Sequence, residues 1–106
     1  MKIKVNRVLS QGSFRINFEV SDFTSDEYAK MASFGIPMIS MRLSHGGAST
    51  VTAIPINQIT KSIEASFSSQ EAAKQYEDQV LTQLRNSMDR LRDLKDDFSS
   101  SQEVVL

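Results

Sequence analysis

The sequence predicts an α+β domain of order ββαβββα: a mostly antiparallel five-stranded sheet with a short helix and a long C-terminal helix packed on one face. Three observations carry that reading. Apolar and polar residues alternate strictly from Ser13 to Val20, the signature of a strand with one buried and one wet face. A capping box, Thr24 with Glu27, opens a short helical stretch. An apolar stripe then recurs in steps of three and four through Ala73, Tyr76, Val80, Leu84, Met88, Leu91, Leu94 and Phe98.

In chain order, residues 2–9 form a first strand through Ile3, Val5, Val8 and Leu9, and Ser10-Gln11-Gly12 supplies turn chemistry. Phe14, Ile16, Phe18 and Val20 make the buried side of the second strand, which completes a hairpin. Residues 25–34 read as a helix whose apolar side is Tyr28, Met31 and Ala32. Phe23 and Tyr28 sit at its staple positions, Gly35 stands where a left-handed closing residue belongs, and Pro37 blocks continuation. A left-handed Gly35 folds Ile36 back onto Met31.

Ile39, Met41 and Leu43 mark a third strand. Ser44 to Ser49, centred on Gly46-Gly47, reads as a flexible loop. Thr50 to Ile56 is a fourth strand, with Pro55 placing its end at an edge or bulge. Asn57-Gln58 turns the chain, and Ile59, Lys61, Ile63, Ala65 and Phe67 alternate along a fifth strand. Ser68 with Glu71 repeats the capping-box spacing ahead of a helix from about Ser69 to about Phe98. The single domain is expected over 1–98, with 99–106 a flexible tail. Strand order stays open at this level.

Composition narrows the function classes. The 106 residues hold 12 Lys and Arg against 13 Asp and Glu, so no bulk basic excess points to phosphate backbones. There is no cysteine, which removes disulfides and cysteine-rich zinc sites. The first residues carry scattered charges and no apolar block, and no run approaches the ~20 apolar residues of a membrane span. The expectation is a cytoplasmic, bacterial or viral protein with no membrane partner.

The long helix is the most informative feature. About 30 helical residues span roughly 45 Å, whereas a strand of about seven covers roughly 23 Å. The apolar stripe nevertheless continues, and each large apolar side chain left in water forgoes roughly 1.5–3 kcal/mol. Leu84, Met88, Leu91, Leu94 and Phe98 are therefore the expected self-association interface of a homodimer. Two alternatives compete: a break near Asn86-Ser87 that folds the helix back, or docking of the overhang onto a different protein. Asp93, Asp96 and Asp97 oppose the negative end of the helix, so fraying is expected there without a partner.

No catalytic set assembles from the motifs. His45 is the sole histidine and lies beside Gly46-Gly47, without a spaced partner, a nucleophile elbow or a phosphate-binding glycine pattern. A ligand-binding protein or small enzyme using the sheet face near His45 is the first alternative to a binding module. Lys2, Lys4, Arg7 and Arg15 are read as one basic face of the first hairpin, joined by Arg42 and Lys61 if the strands neighbour, and they carry the second alternative, a nucleic-acid-binding factor. Asp22, Asp26 and Glu27 are explained by helix capping rather than by metal binding. No cofactor or metal is expected.

Asp22-Phe23-Thr24-Ser25-Asp26-Glu27-Tyr28, followed by Phe34-Gly35-Ile36-Pro37, resembles stretches of small proteins from phage and mobile elements. The resemblance implies no functional residue. The leading expectation is a non-catalytic protein-binding module that self-associates through its C-terminal helix.

Overall fold

The computed structural model describes residues 1–56 and 60–106. The turn expected at Asn57-Gln58, and Ile59 as the start of the fifth strand, lie outside the described residues. The elements follow the expected order: β1 Lys2–Ser10, β2 Ser13–Ser21, α1 Ser25–Ser33, β3 Met38–His45, β4 Ala48–Pro55, β5 Thr60–Phe67 and α2 Gln70–Asp93.

The strands do not form one five-stranded sheet. They divide into an antiparallel sheet of order β1-β2-β5 and a separate β3-β4 hairpin. β2 is central in the first sheet because its alternating face matches apolar rows on both sides. Val5, Phe18 and Ile63 align in one row, and Leu9, Phe14 and Phe67 in another. β3 pairs with β4 alone, and at Arg42 and Ser44 its second edge is met by side chains of α2, as described below.

Both hairpins close through two-residue turns in which both residues have positive φ: Gln11 and Gly12 at 52° and 74°, Gly46 and Gly47 at 59° and 80°. That conformation matches the twist of paired strands, and it favours glycine. It also replaces the flexible loop expected over 44–49, since Ser44 pairs with Ser49 and His45 with Ala48.

α1 has the ends its sequence prescribes. Thr24 Oγ1 accepts from Glu27 N–H at 3.2 Å, and Glu27 Oε1 accepts from Thr24 N–H at 2.7 Å. The rings of Phe23 and Tyr28 pack 5.7 Å apart across the cap. Gly35 has φ 66°, and Ile36 N–H donates to Met31 O at 2.8 Å, a Schellman closure.

α2 differs from expectation at both ends. Its N-cap is Ser69, whose hydroxyl accepts from Ala72 N–H, so Ser68 and Glu71 form no capping box. The helix runs unbroken through Asn86-Ser87 and ends at Asp93, five residues before Phe98. Leu94 is extended, and the Asp96 carboxylate accepts from the N–H groups of Phe98 (3.1 Å) and Ser99 (2.8 Å). An acidic terminus opposed by the helix dipole is thus replaced by a local side-chain turn. Residues 94–106 carry neither helix nor strand.

One core joins all these parts. Ile16, Phe18 and Val20 of β2, Ile63 and Phe67 of β5, Ile39, Met41 and Leu43 of β3, and Ile54 of β4 pack with Met31 of α1 and with the α2 stripe. No described helix is long and apolar enough to cross a membrane.

Candidate functional site

The outer edge of β3 is the most distinctive surface of the molecule. Gln83 donates from Nε2 to Arg42 O at 2.6 Å and accepts from Arg42 N–H at 2.9 Å. Gln79 repeats the pattern on Ser44, donating at 3.1 Å and accepting at 2.9 Å. Each primary amide sets an N–H donor beside a carbonyl acceptor, so it satisfies a strand residue as a neighbouring strand would. The spacing makes the repeat work. Two residues along a strand rise about 6.6–6.8 Å, and four along a helix about 6 Å. Successive glutamines on one helix face therefore meet successive outward-facing residues of β3. The glutamine row Gln75-Gln79-Gln83, at intervals of four, is the sequence signal for this contact. It was missed because glutamine on an amphipathic helix ordinarily marks a solvated face.

The same register brings Ser87 opposite Ser40. Serine is too short to repeat the amide bridge, and Ser40 has no such partner among the described residues. Here the helix and strand part into a groove of about 310 Å³ lined by Met31, Ile36, Met38, Ile39, Leu91 and Leu94, with Arg90 its charged wall residue. Met38 is exposed at its rim.

The expected self-association residues meet different fates. Leu84 is fully buried and Leu91 is 7% exposed, both in the chain's own core. α1 and the start of β3 cover these two leucines where the three-stranded sheet does not. Met88 and Leu94 are half-buried against that core. Phe98 is 93% exposed, and it lies beyond the helix rather than on its stripe. Val104, Val105 and Leu106 are exposed as well.

Lys2, Lys4, Arg7 and Arg15 do not share a face. Arg7 aligns with Ile3, Val5 and Leu9 on the helix side of the sheet, where its Nε donates to Glu77 Oε1 at 2.5 Å. That hydrogen bond raises the guanidinium pKa further. Residue parity already dictates this, because seven falls in step with three and five. Lys2, Lys4 and Arg15 do lie on the outer face, but Glu19 stands directly beside Lys4, and Glu64 occupies the neighbouring row. Lys61 aligns with Val20 on the helix side, and Arg42 belongs to the other sheet. The outer face carries mixed charge and no basic stripe.

His45 ends β3, with its ring edge-on to Phe67 at 4.4 Å and 6.2 Å from Tyr76. Burial pushes the Tyr76 hydroxyl up from its usual pKa. The three rings pack as an aromatic corner between the sheets. A second groove, about 470 Å³, lies between Leu9 and Phe14 on the sheet and Ala73 and Lys74 on α2, with the Arg7–Glu77 pair in its wall. Among the described residues no three His, Cys, Asp or Glu side chains gather as metal ligands.

The fold defines an α+β protein in which a helix bridges a three-stranded sheet and a two-stranded hairpin. Comparison with protein-family models, with curated proteins and with solved structures finds no match.

Proposed function

We propose that this chain is a non-catalytic protein-binding module that forms a homodimer through the C-terminal end of α2. The observation that supports this is the pairing of a donor and an acceptor for apolar surface within a short stretch of chain. Phe98 stands almost wholly in water, and Leu94, four residues earlier, lines the apolar groove with Met38, Ile36 and Leu91. Sheltering one such ring favours association by roughly 1.5–3 kcal/mol, and a two-fold arrangement counts it twice. Met88, Leu94 and Phe98 remain in the proposed interface; Leu84 and Leu91 support it from beneath.

Light scattering on a size-exclusion column tests this directly. The chain is expected to shift from monomer to dimer across the micromolar range. Phe98→Asp should hold it monomeric with an unchanged far-ultraviolet circular dichroism spectrum, since Phe98 has no part in the core. A wild-type chain that stays monomeric at its highest attainable concentration overturns the proposal.

A further inference from the structure

The groove does more than offer apolar walls, because it exposes a piece of strand edge. In β3 the outward-facing backbone groups belong to alternate residues, and Arg42 and Ser44 give theirs to Gln83 and Gln79. Ser40 is the next in that row, and Ser87 leaves it unbridged. An open edge with an N–H and a C=O to spare takes an extended chain by strand addition. Resting on the proposed self-association, we infer its mode: the extended segment after α2 of a second copy adds to β3 at Ser40, with its Phe98 ring in the groove.

Three features select that occupant. The segment is already without helix or strand, so no folded element is dismantled to deliver it. It is acidic on balance, with Asp96 and Asp97 against Lys95, and the charged residue of the groove wall is Arg90. The molecule is also drawn out: its longest extent is 74 Å, against about 36 Å for the 24 residues of α2. Residues 95–106 are exposed throughout and none of them packs on the core, so this stretch is free to reach a second copy. Leu94 walls the groove of its own chain, so residues just after it would have to reverse at once to enter that groove. A two-fold exchange avoids the reversal and closes the assembly at two copies.

The glutamine row supplies the test. Ser87→Gln extends the row by one member, so its amide bridges Ser40 as Gln83 bridges Arg42. The variant should be more stable than wild type to denaturant, yet dimerise about tenfold or more weakly, as expected for two hydrogen bonds denied at each of the two grooves. Disulfide trapping gives an independent reading, because the chain has no native cysteine. Ser40→Cys and Phe98→Cys chains, mixed and oxidised, should form the mixed disulfide-linked dimer in preference to either symmetric one. If wild type dimerises but Ser87→Gln dimerises equally well and no mixed disulfide appears, strand addition is overturned and self-association stands. If a chain carrying both Ser40→Cys and Phe98→Cys closes its disulfide within itself, the groove is served in cis and the two-copy mode is overturned. A strictly monomeric wild type overturns both.

Discussion

The two halves of α2 carry the same apolar spacing and meet different surroundings. From Ala73 to Leu84 the stripe lies over β2 and β5 with β3 alongside, and Ala73, Tyr76, Val80 and Leu84 are buried. From Ser87 to Leu94 the three-stranded sheet has ended, and cover comes from α1, from Ile36 and from the first residues of β3. Lys30 Nζ also donates to Arg92 O there, tying α1 to the last turn. Periodicity therefore reports that a face is apolar, while the depth of its burial depends on which elements arrive beside it.

Replacing one leucine in each half tests that contrast most sharply. Leu84→Ala should destabilise by about 2–5 kcal/mol, as for a fully enclosed side chain. Leu94→Ala, on an open groove wall, should cost less, about 1–2 kcal/mol, since part of its surface is already in water. Denaturant unfolding measures both, and equal losses would abolish the distinction between the halves.

A smaller effect is expected at the sealed edge of β3. Gln83→Glu keeps the acceptor for Arg42 N–H and sets a carboxylate against Arg42 O. A loss of about 1–3 kcal/mol is expected at neutral pH, the size of an unsatisfied polar contact. The loss should ease on acidification, because the protonated acid regains a donor. Equal stability of Gln83→Glu and wild type at neutral pH would mean that the amide bridge holds nothing in place.

The smallest effect belongs to the cap of α1. Burial opposes ionisation of Glu27, but hydrogen bonds from the Met1 amino group and from Thr24 N–H outweigh it and hold the carboxyl below its usual range. A lowered folded pKa adds stability above the unfolded value, and that contribution fades as pH falls through the folded one. Wild type should therefore exceed Glu27→Gln by about 1 kcal/mol at neutral pH. Thermal melts should show the gap closing on acidification, and a gap independent of pH would remove the carboxylate from the account.

Much of the candidate surface was legible in part. The apolar spacing marks Phe98 as needing cover, and Phe98 stands exposed for a different reason: the helix stops at Asp93, and Asp96 turns the chain locally. The basic face dissolved on residue parity, which places Arg7 beside Ile3 and Val5. The glutamine row has the pattern of a solvated face, and its partner, the edge of β3, lies more than 30 residues away in the chain.

The sequence by itself determined the element order, the caps of α1, the turn at Ser10-Gln11-Gly12 and the apolar face of β2. Each depends on residues within a few positions of one another, where steric and hydrogen-bonding rules leave little choice. Tertiary structure alone decided that five strands split into three and two, that α1 covers the end of α2, and that the edge at Ser40 has no amide bridge among the described residues. Those outcomes come from competition between distant segments for the same strand edge. At β3 the glutamine amides of α2 stand at Arg42 and Ser44 where a neighbouring strand would pair, because their spacing along the helix nearly matches the spacing of the backbone groups they satisfy.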